Sequence, residues 1–145
     1  MTTLSAPLTA GDTLPRLELV SRAGAPVALE TIAASSPRTV LYFMRTSTCP
    51  VCHQHLRAIA RLGLPAVVIV PGGAPEADAV ARRHPALAEA VVASEDAHAA
   101  VGLFVRHGLQ QSGTYVVEGA RIVAARHATV PLGSFDAAEV RAALA

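Results

Sequence analysis

Apolar residues follow two different periods along this chain, and the changes of period locate its main elements. Leu17 and Leu19 alternate with charged neighbours, and Val27 and Leu29 resume the alternation after a polar, glycine-containing turn at residues 21–24. Alternation with a period of two is typical of half-buried strands. The pattern therefore predicts a β-hairpin near the N-terminus.

Two continuous apolar runs flank a segment of helical period in the middle of the chain. Residues 39–44 and 65–70 are rich in β-favouring side chains without alternation, as in strands buried on both faces. From Cys49 onward the apolar residues recur instead at helical spacing on one face, and Pro50 suits the first helical position, where its missing N–H costs nothing. The segments predict a parallel strand–helix–strand unit with a right-handed crossover.

The remaining segments are short and alternate between the two periods. An aspartate, Asp136, precedes the last of them, with Glu139 three residues on as a possible capping box. We predict helices over 76–83, 96–101 and from Asp136 to the C-terminus, a short strand over 87–92, and a hairpin of strands 114–117 and 121–125.

Length and composition favour one α/β domain over residues 1–145. Of the 145 residues 52% are hydrophobic and only 3% aromatic, so the core consists of small aliphatic side chains packed between layers. The net charge is +1 and the twelve basic residues, all arginine, are scattered, which argues against a nucleic-acid partner. The longest strongly apolar stretches, such as 64–70, are too short to span a membrane. Residues 1–10 lack the features of a secretory signal, so we expect a cytoplasmic protein.

The two cysteines, Cys49 and Cys52, carry the clearest chemical signal. Residues three apart on a helix share a face, so the two sulfurs can approach closely enough for a reversible disulfide. Cys49 would lie at the helix N-terminus, where free N–H groups and the positive end of the helix dipole stabilise a thiolate. Cys52 would lie one turn further on, on the buried face. We therefore expect Cys49 to attack the substrate and Cys52 to resolve the intermediate.

Three other interpretations of this motif exist. Cys49 to His53 formally satisfies the C-x-x-C-H pattern of covalent haem attachment, but a buried strand runs directly into it. A zinc site could use Cys49, Cys52, His53 and His55, although residues 52, 53 and 55 point in different directions from one helix. The two cysteines could also be small buried hydrophobes without chemistry.

Four segments of the chain resemble the peroxiredoxin family, in its alkyl hydroperoxide reductase and thiol-specific antioxidant branch. The family's active-site signature P-x-x-x-T-x-x-C is matched in its last half by residues 46–49, Thr-Ser-Thr-Cys. The N-terminal segment 11–15 and the later segments 94–102 and 113–119 are also similar to the family. The resemblance covers nearly the whole chain and implies a thioredoxin-like fold, with a central mixed sheet flanked by helices and an N-terminal β-hairpin.

The resemblance also implies residue roles. Cys49 would be the peroxidatic cysteine, Thr46 would hold the peroxide through its hydroxyl, and Cys52 would condense with the sulfenic acid on Cys49. The implied substrate is hydrogen peroxide or a small organic hydroperoxide, and the implied reductant is a thiol donor such as a thioredoxin- or glutaredoxin-type protein. No metal or prosthetic group is expected. Many members of the family pair as dimers, so a homodimer is possible.

The chain departs from the family at two positions. The active-site proline of the family falls at Tyr42, and its thiolate-stabilising arginine falls at Ser112. Arg45, beside the loop, could supply the missing charge or could be a solvated loop residue. The C-x-x-C pair itself points instead to thiol–disulfide exchange, but thioredoxins place a cis-proline opposite the dithiol, where this chain has Gly113 and Thr114.

Two further hypotheses therefore stay open beside the peroxidase: a thiol–disulfide oxidoreductase acting on protein disulfides, and a non-enzymatic redox sensor. The histidines are weaker signals. His53 and His55 could tune Cys49 or shuttle a proton, although exposed positions are commoner for helix histidines. The others are predicted to lie at the surface or in loops: His84, His98, His107 and His127.

Overall fold

Nine strands, five α-helices and two 3-10 helices make up the part of the chain that the computed structural model describes, residues 6–33 and 36–145. The prediction that residues 1–10 are not a secretory signal concerns in part residues 1–5, which lie outside the described residues. The strands are β1 (Leu19–Ser21), β2 (Pro26–Val27), β3 (Thr39–Phe43), β4 (Ala66–Pro71), β5 (Val91–Ser94), β6 (Val105–Arg106), β7 (Leu109–Gln110), β8 (Ser112–Glu118) and β9 (Arg121–Ala128). The α-helices are α1 (Leu29–Ala33), α2 (Pro50–Arg61), α3 (Ala74–Arg83), α4 (Ala97–Ala100) and α5 (Ala137–Leu144), and the 3-10 helices cover Pro85–Ala90 and Pro131–Ser134.

A seven-stranded mixed sheet forms the centre of the fold, in the order β2-β1-β5-β4-β3-β8-β9. Its three middle strands, β3, β4 and β5, are parallel, and β1 and β8 join them antiparallel on either side. Short strands β6 and β7 pair separately. Helices flank the sheet, so the prediction of an α/β fold with a central mixed sheet and an N-terminal hairpin is confirmed.

Strand β3 is buried on both faces, as its continuous apolar run predicts. Leu41 and Phe43 pack on one side of the sheet with residues of β1, β8 and α4. Tyr42 and Met44 lie on the opposite side, in a cluster that contains both cysteines and the apolar face of α2. The parallel ends of β3, β4 and β5 lie at one edge of the sheet, and the loop that leads to Cys49 begins there.

Two strand predictions are wrong in part. Leu29 begins α1 instead of continuing the hairpin, whose second strand ends at Val27. Residues 85–90 form a 3-10 helix because Pro85 occupies its first turn and the backbone N–H of Leu87 bonds back to the carbonyl of His84. The strand begins only at Val91.

The last helix begins where the sequence predicts. Asp136 caps α5, its carboxylate accepting the backbone N–H of Glu139 at 2.9 Å. Within the described ranges, no helix is both long enough and apolar enough to cross a membrane.

Candidate active site around Cys49 and Cys52

The site lies where β3 ends and α2 begins. Met44 still bonds to the sheet, its N–H donating to the carbonyl of Ile69 at 3.0 Å. Residues 45–48 then form a polar loop, and Cys49 caps α2 with Pro50 at its first position. The prediction that the cysteines stand at a strand-to-helix junction is therefore confirmed.

Cys49 is the N-cap residue of α2 and is nearly enclosed. Its sulfur accepts the backbone N–H of Cys52 at 3.2 Å, and only 2% of the residue is exposed. An N-cap side chain receives the free N–H groups of the first turn, which favour a negative charge. The sulfur thus has the electrostatic setting that suits a thiolate.

Cys52 lies one turn further on and is completely buried. Its sulfur accepts the backbone N–H of Arg45 at 3.4 Å. Burial and, after it, a hydrogen bond with Cys49 raise the pKa of Cys52 to about 12, although the Arg45 N–H and the Tyr42 hydroxyl oppose the shift. The two thiols are free, share one buried cluster and contact each other, so a disulfide between them is geometrically accessible.

The other predicted site residues occupy the loop. Thr46 is half-buried, with its hydroxyl 3.5 Å from that of Thr48. Arg45 is also half-buried, and among residues 6–33 and 36–145 no ion pair engages its guanidinium. Both residues lie within four positions of Cys49, but within the described residues neither side chain forms a hydrogen bond with a sulfur.

The two positions at which the chain departs from the family are both buried. Gly113 pairs with Phe43, so Ser112 lies beside Met44 at the start of the loop, and its hydroxyl has no hydrogen-bond partner within the described residues. Tyr42 lies in the same cluster as both cysteines. Burial raises the pKa of the Tyr42 hydroxyl far above its ordinary value, and the neighbouring Cys52 raises it further.

Tyr42, for which the sequence pattern indicates no function, forms a buried pair with His55. The Tyr42 hydroxyl lies 2.6 Å from Nδ1 of His55, whose ring also packs edge-on against the tyrosine. The expectation of an exposed His55 is wrong, since only 9% of it is exposed. The spacing contained the signal: His55 follows Cys52 by three and precedes Ile59 by four, which places it on the apolar face of α2.

A second buried pair joins α2 to the end of α3. His53 Nδ1 lies 2.7 Å from Nε2 of His84, and Nε2 of His53 lies 2.8 Å from the carbonyl of Ser47. Both histidines are buried, so the predicted exposed positions are wrong here as well. Burial lowers the pKa of both rings, that of His84 to about 4, and neutral rings satisfy this chain of hydrogen bonds.

His98, predicted to lie at the surface, is buried under the start of the loop. Its Nε2 lies 2.7 Å from the carbonyl of Met44, and Nδ1 has no partner within the described residues. Burial lowers the pKa of His98 to about 4, although the Met44 carbonyl opposes the shift. His107 and His127 are exposed, as predicted.

The four residues of the hypothetical zinc site do not converge. His55 is paired with Tyr42, and both nitrogens of His53 contact His84 and Ser47. No cluster of three or more cysteine, histidine or carboxylate side chains suited to a metal ion occurs in the described part of the chain. The geometry thus brings the two cysteines together with Tyr42 and leaves the histidines in separate pairs.

No protein-family model and no curated protein sequence matches this chain. Solved structures do resemble it. Reduced Prx3 from Vibrio vulnificus, solved in complex with H2O2, superimposes with a TM-score of 0.74 at 18% identity, over 95% of this chain and 99% of that one. Peroxidoxin BcpB from Mycobacterium tuberculosis gives 0.64 at 21% identity, over 94% of each chain. A putative protein disulfide isomerase from Bacteroides thetaiotaomicron gives 0.62 at 14% identity, over 99% of this chain and 90% of that one. The chain therefore has a peroxiredoxin-like thioredoxin fold.

Proposed function

We propose that this protein is a thiol peroxidase that reduces hydrogen peroxide or small organic hydroperoxides at Cys49, with Cys52 as the resolving thiol. The observation that carries the proposal is the position of Cys49 at the N-cap of α2, with its sulfur on a backbone N–H and a second thiol one turn behind it. The resemblance to peroxiredoxin structures supports this assignment at the level of the fold.

The proposed cycle uses these two sulfurs, the substrate and a thiol donor. The Cys49 thiolate attacks the distal peroxide oxygen, so that the O–O bond breaks and a sulfenic acid remains on Cys49. The proton that Cys49 released on forming its thiolate passes to the leaving oxygen, which departs as an alcohol or water. Cys52 then attacks the Cys49 sulfur, forming the S–S bond and releasing water. Two electrons from a thiol donor finally reduce the disulfide to the dithiol.

We propose supporting roles for two loop residues. The Thr46 hydroxyl would donate to the peroxide, and the Arg45 guanidinium would stabilise the negative charge that develops on the leaving oxygen, in place of the arginine that the family has at Ser112. Their position within four residues of Cys49 on a half-buried loop supports these roles.

The first test mixes reduced protein with one equivalent of hydrogen peroxide and follows the loss of free thiol. We expect oxidation much faster than that of free cysteine at the same pH, followed by an intramolecular disulfide detected by mass spectrometry. A rate equal to that of free cysteine would contradict the peroxidase proposal.

The same measurement tests the loop residues. Thr46→Val and Arg45→Gln should each slow the peroxide step by roughly 100- to 1,000-fold, the range of one lost transition-state contact. Thr31→Val is the control for Thr46, because Thr31 is an exposed threonine of α1, outside the loop. An equal effect of both threonine variants would show that Thr46 has no special role.

A thiol–disulfide oxidoreductase is the second candidate function. The C-x-x-C pair with one enclosed and one deeply buried sulfur favours it, as does the resemblance to the putative disulfide isomerase. Reduction of insulin disulfides with a thioredoxin system, compared with the peroxide rate, separates the two enzymes. If the protein were inactive in both assays, the remaining hypothesis would be the non-enzymatic redox sensor.

We propose a thioredoxin- or glutaredoxin-type reductant and a cytoplasmic location, where such donors keep thiols reduced. The redox potential of the Cys49–Cys52 pair tests the proposed reductant, since a potential more negative than that of the cellular thiol pool would require a stronger donor. Cell fractionation tests the location.

We also propose that the protein forms a homodimer through a surface that includes Val130 and Leu132. These two side chains are 62% and 69% exposed and lie two residues apart in the chain. Large apolar side chains exposed side by side favour contact with another protein surface. A monomer by sedimentation at micromolar concentration would contradict this.

A further inference from the structure

Cys52 must lose its thiol proton when it forms the disulfide with Cys49. The thiolate is the nucleophile in disulfide chemistry. Cys52, however, is completely buried, and burial raises its pKa to about 12, so almost none of it is ionised near neutrality. The proposed cycle therefore needs a group that takes this proton as the S–S bond forms.

The Tyr42 hydroxyl is positioned next to this thiol. Tyr42 projects from β3 into the cluster that holds Cys52, and its hydroxyl interacts with the Cys52 thiol. On its other side the same oxygen lies 2.6 Å from Nδ1 of His55. One hydroxyl thus connects the buried sulfur to an imidazole nitrogen.

His55 is suited to receive a proton at Nδ1. Burial lowers its pKa below the ordinary histidine value, so the ring is neutral at physiological pH and has one nitrogen free to accept. About 9% of His55 remains exposed, whereas Cys52 has no contact with solvent. A proton that reaches His55 can therefore leave the protein.

We propose that Tyr42 and His55 form a proton relay that deprotonates Cys52 while it closes the disulfide with Cys49; this inference rests on the proposed function. As the Cys52 sulfur bonds to the Cys49 sulfur, its proton moves to the Tyr42 oxygen and the Tyr42 proton moves to Nδ1 of His55. The S–O bond of the sulfenic acid breaks and hydroxide leaves. The imidazolium then releases one proton to solvent, which converts that hydroxide to water.

The relay needs no ionised cysteine beforehand, because proton transfer accompanies bond formation. The Arg45 backbone N–H, 3.4 Å from the Cys52 sulfur, stabilises charge that develops there. Tyr42 contacts a reacting atom, whereas His55 acts through Tyr42 as a positioning residue.

The surroundings of the relay contain few charges. The titratable groups that face it are Cys52 and Cys49 of α2. Ser134 of the second 3-10 helix lies beside the tyrosine, and its hydroxyl donates to the carbonyl of Pro131. Phe135 packs on His55, and the adjacent Asp136 is paired with Arg126 of β9 at 4.0 Å. The pH dependence of closure should therefore report His55 and Cys52.

The experiment compares Tyr42→Phe and His55→Gln with the wild type and with Tyr115→Phe. Tyr115→Phe is a matched control because it removes another buried hydroxyl, one without a hydrogen-bond partner among the described residues, on the opposite face of the sheet. Rapid quenching after one equivalent of peroxide, with trapping by dimedone and mass spectrometry, measures sulfenic acid and disulfide separately. We expect sulfenic acid to form in all four proteins, and its conversion to the disulfide to be at least tenfold slower in the two relay variants than in the wild type and Tyr115→Phe.

The pH profile distinguishes a relay from a structural role. Closure in the wild type and in Tyr115→Phe should be nearly independent of pH between 7 and 9. In Tyr42→Phe and His55→Gln it should rise about tenfold per pH unit, because hydroxide must take the proton. Added imidazole should accelerate His55→Gly but not Tyr42→Phe. Profiles of the relay variants parallel to that of the wild type would overturn the relay; if Tyr42→Phe does not fold, the His55 variants decide.

A second experiment tests the relay without peroxide. An aromatic disulfide reagent converts Cys49 to a mixed disulfide, and attack by Cys52 then releases a second, coloured thiolate. Slow peroxide oxidation in every protein, combined with a relay-dependent second release, would contradict the peroxidase and support the relay. A second release that is the same in the relay variants and the wild type would contradict the relay alone.

Discussion

Cys49→Ser should reduce the rate of peroxide consumption by at least about a thousandfold, to the level of an unassisted thiol, because no other group can act as the nucleophile. Cys49 alone combines a sulfur with the N-cap position of α2 and a backbone N–H at 3.2 Å. Cys52, left behind in this variant, stays protonated because burial raises its pKa to about 12. The measurement is peroxide consumption under single-turnover conditions.

Cys52→Ser is the matched control, since it removes the other sulfur of the same pair. It should consume one equivalent of peroxide at the wild-type rate and then stop, with one trappable sulfenic acid on Cys49. If Cys49→Ser were the variant that retained a sulfenic acid, the roles of the two cysteines would be reversed.

Acid should destabilise the fold well before its carboxylates are protonated. The buried His98 has a pKa of about 4 in the folded protein, against about 6.5 when unfolded. The unfolded chain therefore binds more protons below pH 6.5, so stability is complete above that pH and is lost as the pH falls toward 4. A shift of this size corresponds to about 3 kcal/mol of unfolding free energy. Burial also lowers the pKa values of His84, His53 and His55, which act in the same direction.

Urea unfolding at pH 7 and at pH 4.5 measures this effect. His98→Gln should reduce the difference between the unfolding free energies at the two pH values, because the variant lacks one of the buried rings that take up a proton on unfolding. His127→Gln is the control, since His127 is exposed. An unfolding free energy that is the same at both pH values would contradict the burial of these rings.

The fold could be predicted largely because its strong signals are local. The continuous apolar run of β3 and the helical spacing after Cys49 depend on neighbouring residues, and both elements form where they were predicted. The 3-10 helix at 85–90 could not be distinguished from a strand, because its small apolar residues suit either conformation.

The cysteine pair could be located from its spacing, but its surroundings could not. His84 and His98 reach the site region from α3 and α4, and their burial follows from contacts across 31 and 54 residues of sequence. Tyr42 lay inside a predicted strand, where a large apolar residue needs no other explanation. Only the tertiary structure places its hydroxyl between a thiol and an imidazole.

The enclosure of Cys49 affects how the cycle can be reset. A peroxide is small enough to reach a sulfur that is 2% exposed, but the thiol of a protein donor must approach along the S–S axis. We therefore expect the first turn of α2 to open before electrons can enter. On that expectation, conditions that stabilise the helix should leave oxidation fast and make re-reduction the slow half of each turnover.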